Sequence, residues 1–242
     1  MAKVLLVDTN FASAPIYSVL KGFGYTVHVI GSNPHDTLAK SAEQYWNIDY
    51  SDTAALSDLI EKEAFDYLVP GCTDRSYKSC AAVSQGRFPG IESPDIEHGM
   101  HNKEKFRAIA EKLNIPIPES QNHNSKSLDY PVIIKPVDSF SGRGITVIKN
   151  RNKRLFDSAI ELARKNSATE EYLLEKFVSG ELYSHSAFLK NKRAIKNFFV
   201  KEDSTVNSFV VDTSRVIFSP PPEMQRQIIN AVEKLARYLR LK

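Results

Sequence analysis

The sequence predicts an α/β chain in which a parallel sheet interleaved with helices comes first and a smaller α+β lobe follows. Three observations predict this. Residues 3–8, KVLLVD, form an apolar run of the kind buried on both faces of a parallel sheet. Helix-period and strand-like segments then alternate through residue 69, as right-handed β-α-β crossovers require. Farther on, two short β-branched runs at 132–134 and 145–148 flank the loop DSFSGRG at 138–144.

After the first strand, residues 14–23 read as a helix with Ile16, Val19 and Leu20 inward and Gly22 and Gly24 closing it. Residues 25–30 are a second strand. Leu56, Leu59 and Ile60 mark another helix, and residues 67–69 a third strand running into PGCTD. The turn after the first strand, DTNFASAP, has no glycine, so this half lacks a dinucleotide fingerprint. Thr9, Asn10, Thr73 and Asp74 follow the strand ends, where they serve either as caps or as contacts to a substrate. Residues 84–101, rich in Gly, Pro and His, read as a connection. His98 and His101 share a face only if that segment is helical, and no third metal ligand accompanies them.

Asn102 caps a predicted helix carrying Phe106, Ile109, Ala110 and Leu113 at helical spacing, with Lys103 in its first turn and Pro116 and Pro118 beyond its end. Residues 119–129 are polar and read as a loop. In DSFSGRG, Gly142 and Gly144 admit positive φ, Ser139 and Ser141 add hydroxyl donors, and Arg143 sits among backbone N–H groups able to form an anion-binding concavity. Lys135 ends the strand that enters this loop. Residues 155–163 read as a helix and 172–174 as a strand; EKFVSGE at 175–181 is a connector. Strands at 183–189 and 194–200 and an amphipathic helix at 224–241 follow, the helix set off by Pro220, Pro221 and Pro222. Taken singly, the glycine loop is an ordinary hairpin turn, Glu175 a solvated strand-end charge and Lys135 a snorkelling surface lysine.

Taken together, a lysine opening a helix, a strand ending in lysine before a glycine-rich loop, and Leu-Glu-Lys-Phe-Val-x-Gly resemble the ATP-grasp superfamily, in its carbamoyl-phosphate-synthetase-like, carboxylate–amine ligase branch. The resemblance implies a Rossmann-like front domain at 1–95, a connecting helix at 96–119, a small lobe at 120–180 and the start of a large lobe at 181–242. It implies that Lys103 and Lys135 contact ATP phosphates and that Ser141, Gly142, Arg143 and Gly144 cover them. Glu175 and the backbone of Lys176, Phe177 and Val178 would meet the adenine edge. The family's acidic ribose contact falls at Leu182 here; Glu181 is one residue early, which on a strand is the opposite face. The implied cofactors are ATP and magnesium, but the family's magnesium carboxylates follow the last helix, and none has a counterpart before Lys242. The expectation is therefore a shortened ligase that binds nucleotide weakly and turns over little, or a nucleotide-binding regulatory or partner subunit. Its partners would be a small carboxylate and an amine, with a homodimer or another chain supplying the missing lobe. The last helix would present an uncovered apolar face.

Composition narrows the classes further. A net charge of +3 over 242 residues, with the basic residues scattered, does not mark a nucleic-acid surface. No apolar run approaches the roughly 20 residues that span a bilayer, and MAKVLLVD is too short for a signal peptide. Cys72 and Cys80 have neither zinc nor redox spacing, so the expected setting is the cytosol with reduced thiols.

Overall fold

The structure is a computed structural model that describes residues 1–123 and 127–241. It divides into two compact units, Met1–Glu97 and His98–Lys242.

In the first unit, β1 (Lys3–Val7), β2 (Thr26–Gly31), β3 (Gln44–Asn47) and β4 (Tyr67–Pro70) form one parallel sheet in the order β3-β2-β1-β4. The interleaved helices are α1 (Ala14–Gly22), α2 (Thr37–Ser41), α3 (Thr53–Glu63) and α4 (Asp74–Ser84). Because strand side chains alternate, the β1 run feeds two cores. Leu5 and Val7 pack with Ile30, Leu56, Ile60, Leu68 and Cys80. Leu6 packs instead with Val27, Val29 and Leu38, against Ile16, Tyr17 and Leu20.

Sequence periodicity misses α2, β3 and α4. The strand QYWN is short and lies at the sheet edge. In α4 the buried residues are Ser76, Ser79, Cys80, Ala81, Val83 and Ser84, small except for Val83, so the helix carries no large apolar stripe to detect. The connection predicted at 84–101 contains a helix, α5 (Pro94–His101), which straddles the division between the units.

In the second unit, α6 (Lys103–Lys112) begins at Asn102, whose side chain accepts from the Lys105 N–H at 3.0 Å. The strands β5 (Val132–Pro136), β6 (Thr146–Ile148) and β7 (Tyr172–Lys176) pair antiparallel in the order β6-β5-β7, with α7 (Lys153–Lys165) against them. Val132, Ile134, Ile148, Ala159, Ala163 and Leu174 form this core. A second antiparallel sheet, ordered β10-β9-β8, is built from β8 (Leu182–Lys190), β9 (Arg193–Asp203) and β10 (Thr213–Ile217), and α8 (Pro222–Tyr238) packs on β9.

The uncovered apolar face expected on the last helix is not there. Ala236 of α8 is fully buried, and Ile228, Ile229, Val232 and Leu235 are half-buried. The exposed apolar residues lie on the sheet instead: Leu182, Phe188, Phe198 and Val216 are about half exposed or more and, by register, share one face. No helix among the described residues is long and apolar enough to cross a membrane.

One buried histidine links the first unit to pH. The Trp46 Nε1–H donates to His28 Nδ1 at 3.2 Å, and the Phe65 ring lies edge-on to the imidazole. Burial, aided by the charge of Lys3, pushes the His28 pKa below its ordinary 6.5. The unfolded chain thus binds this proton more readily, so the contribution of His28 to stability is complete above the unfolded value of 6.5 and is lost progressively as pH falls from there through the lower folded value. Unfolding monitored by the fluorescence of Trp46, the single tryptophan, is expected to show lower stability at pH 5.5 than at pH 8. Much of that difference should vanish in His28→Gln.

Candidate functional site

In the second unit two of the predicted site residues, Lys135 and Glu175, lie on one face of the β6-β5-β7 sheet. Register places Ile133 opposite Glu175 and Lys135 opposite Leu173. Strand alternation sends Val132, Ile134 and Leu174 into the α7 core, which leaves Ile133, Lys135, Leu173 and Glu175 on the other face. On that face Glu175 is completely buried. Lys135 Nζ lies 2.5 Å from its Oε2, and Arg107 Nε, reaching in from α6, donates to its Oε1 at 2.6 Å. Burial pushes the Glu175 carboxyl up, but the hydrogen bonds and charges of Arg107 and Lys135 outweigh that and hold its pKa below the ordinary carboxylate value. The local readings of a solvated glutamate and a surface lysine are therefore both excluded.

Arg107 is the residue that sequence reading missed. It sits one helical turn after Lys103, a spacing that puts the two on one side of α6, and this is the one signal that singles it out.

The glycine-rich loop follows β5. Ser141, Gly142 and Gly144 have φ of 56°, 70° and 74°, in the left-handed region that the glycines were expected to supply. Lys103 Nζ donates to the Ser139 carbonyl at 2.7 Å, and the Lys103 N–H to the Val137 carbonyl at 2.9 Å, so the first turn of α6 grips the start of the loop. The Asp138 carboxylate accepts from the Ala168 N–H at 3.1 Å. At the tip, a Cβ on Gly142 would lie 2.6 Å from the Phe209 carbonyl oxygen, so the loop touches the β9–β10 connection through a residue that has to be glycine. Arg143 donates its N–H to the Phe140 carbonyl at 3.3 Å. Lys103 thus meets the start of the loop, and Lys135 lies on the strand that enters it.

The connector after β7 is placed differently. The N–H groups of Lys176 and Phe177 are already donated, to the Glu119 and Pro131 carbonyls, each at 2.8 Å. The Lys176 ammonium pairs with Asp129, and Val178 is two-thirds exposed. Glu181 pairs with Lys201 and accepts from the Tyr183 hydroxyl at 2.5 Å, at the mouth of β8. A cavity of about 780 Å³ adjoins Arg107, lined also by Glu104, Glu111, Gln121, His123, Arg164 and Tyr172; neither Lys135 nor the glycine-rich loop lines it.

In the first unit the substrate-side candidates are engaged locally. Asn10 accepts from the Ala12 N–H at 2.9 Å, and Thr73 caps α4 by accepting from the Ser76 N–H at 3.2 Å. Thr9 donates to Asp36 at 2.5 Å, and Asp74 lies in the first turn of α4. These loops leave the same end of neighbouring parallel strands, β1 and β4. The segment is tightly packed, since a Cβ on Gly71 would lie 2.2 Å from that of Asp8. His98 and His101 do share a helix, where the His101 ring meets Phe140 edge-on. Among the described residues no group of three or more His, Cys, Asp or Glu side chains could hold a metal ion.

Comparison with known proteins agrees with this geometry. The family model described as ATP-grasp domain matches residues 128–242. The formate-dependent phosphoribosylglycinamide formyltransferase of Histophilus somni (strain 129Pt) is 26% identical over 159 residues, which cover 62% of this chain and 40% of that protein. The arginine-specific large chain of carbamoyl phosphate synthase from Bacillus subtilis (strain 168) is 26% identical over 181 residues, 66% of this chain and 17% of that one. The chain thus spans well under half the length of either relative. In fold it is similar to the ADP complex of an N5-carboxyaminoimidazole ribonucleotide synthetase, with a TM-score of 0.76 at 19% identity over 99% of this chain and 64% of the other. The segment that matches the ATP-grasp domain model thus opens with the sheet bearing Lys135 and Glu175, and this part of the chain is similar to ATP-grasp proteins.

Proposed function

We propose that this chain is the ATP-binding part of a carboxylate–amine ligase that works through an acyl phosphate. The observation that carries the reading is a buried carboxylate holding Lys135 on the strand that enters a left-handed glycine loop, whose start is gripped by Lys103. Lysine ammonium groups and backbone N–H groups held in one place suit a polyphosphate, because phosphoryl transfer needs positioning and charge neutralisation more than a protein nucleophile. The formate dependence of the Histophilus somni relative supports a carboxylate as the acceptor.

In this reading the γ-phosphoryl group passes to a carboxylate oxygen and ADP leaves. The amine then attacks the acyl carbon, phosphate departs, and an amide or related carbon–nitrogen bond forms. Lys103 and Lys135 hold the phosphates, the loop 141–144 covers them, and the 176–178 edge receives the base. With the Lys176 and Phe177 amides already bonded to the sheet, the base would meet carbonyl groups and Val178. The described residues do not form a protein-built magnesium cage, and no step is assigned to the metal. Thr9, Asn10, Thr73 and Asp74 remain the acceptor-side candidates of the first unit.

Three measurements test this. ADP and ATP, but not NAD, should raise the melting temperature, since only a ligand of the folded state does so; Lys135→Ala should abolish the shift. A rise with NAD alone would sink the proposal. Gly142→Ala puts a Cβ against Phe209 at a φ of 70°, a strain of about 1–2 kcal/mol. It should weaken ADP binding roughly tenfold, as calorimetric titration would read. For the reaction itself, ¹⁸O in the acceptor carboxylate should appear in the released phosphate.

A further inference from the structure

Two cations meet one buried carboxylate: Arg107 and Lys135 both bond Glu175, and their side chains are only 19% and 13% exposed. An ion pair built for stability alone would balance its charges, because surplus buried charge is costly unless something neutralises it. Here one positive charge is left over, and it lies where β5 gives way to the glycine-rich loop. The two Glu175 oxygens are divided between the cations. Arg107 takes Oε1 through Nε at 2.6 Å and approaches Oε2 with a second guanidinium nitrogen at 3.5 Å; Lys135 takes Oε2 at 2.5 Å. A planar guanidinium addressing both oxygens fixes the plane of a carboxylate in a way that a lone ammonium does not.

We propose that Arg107 is a positioning residue for the phosphates of a bound nucleotide. It locks the Glu175 carboxylate so that Oε2 pins the Lys135 ammonium, whose remaining donors and the surplus charge then serve the phosphates. This rests on the nucleotide reading given above. One turn earlier on the same helix, Lys103 grips the loop at the Ser139 carbonyl. One rigid helix therefore sets both halves of the phosphate site, the lysine through Arg107 and Glu175, and the loop through Lys103.

The test is the affinity of the chain for ADP and for adenosine, measured by calorimetric titration in wild type, Arg107→Ala, Arg107→Lys, Lys135→Ala and the double variant Arg107→Ala/Lys135→Ala. Arg107→Ala should weaken ADP about tenfold or more and adenosine less than about threefold, because the lost contact is a charge-assisted one to phosphate. Arg107→Lys should recover only part of the loss, because an ammonium restores the charge but not the planar grip on both oxygens. In the Lys135→Ala background, Arg107→Ala should add less than about twofold, the signature of two residues acting through one contact. Equal losses for ADP and adenosine, or losses that multiply in the double variant, would overturn the proposal. Should Arg107→Ala not fold, Arg107→Gln replaces it with the same expectations. A readout without nucleotide separates the two claims: the Lys135 ammonium resonance, slowed in exchange by its bond to Glu175, should be seen at low temperature in wild type and lost in Arg107→Ala. Its persistence overturns the clamp. Failure of wild type to bind ADP overturns the nucleotide reading alone, and the resonance still decides the clamp.

Discussion

A carboxylate with no solvent exposure has to be met by cations, and in the second unit that requirement organises the rest. Glu175 on β7 draws Lys135 from β5 and Arg107 from α6. Removing one partner of such a buried group costs about 3–5 kcal/mol, so the helix and the two strands are held in one arrangement. The pleat makes this possible: alternate residues of the same strands, Ile134 and Leu174, are buried against α7 while Lys135 and Glu175 face away from it. One sheet thus has an oily face that packs on α7 and an ionic face that ties it to α6.

The loop above that ionic face is constrained from several sides. Lys103 holds its start, Asp138 is tied to the Ala168 amide, and Gly142 touches Phe209. Left-handed backbone at Ser141, Gly142 and Gly144 turns successive amides through a tight arc, the arrangement that attracts anions. Arg143, between the glycines, adds charge to that arc. Local backbone strain at Ser141 is tolerated because the surrounding contacts over-determine the turn.

The first unit solves a different problem. Its sheet is parallel and covered on both faces, so its loops gather at the strand ends, and there the polar side chains stabilise one another. Asp8 accepts from Ser13 at 2.9 Å, Ser13 accepts from the Cys72 N–H at 3.0 Å, and Ser76 donates to the Val7 carbonyl at 2.5 Å. These bonds satisfy groups that burial would otherwise leave unpaired. They also explain why Thr73 and Asn10 act as caps: the helix N-termini that follow β1 and β4 need acceptors for their first amides.

Read by itself, the sequence determined the elements whose cause is local. The double-sided burial of β1 is written in KVLLVD, the start of α6 in Asn102, the turn after β5 in its glycines, and the resemblance to ATP-grasp proteins in the order of three short motifs. Helix α4, strand β3 and strand β10 escaped, because small buried residues, an edge position or an exposed pattern leave no periodic apolar signal. The site divided in the same way. Lys103, Lys135 and the loop were legible because each sits in its own motif. The pairing of Arg107 with Glu175, across 68 residues of chain, was decided only by the tertiary structure. A glutamate at a strand end is the same letter whether water or a guanidinium meets it, and only the fold brings Arg107 of α6 to Glu175 of β7.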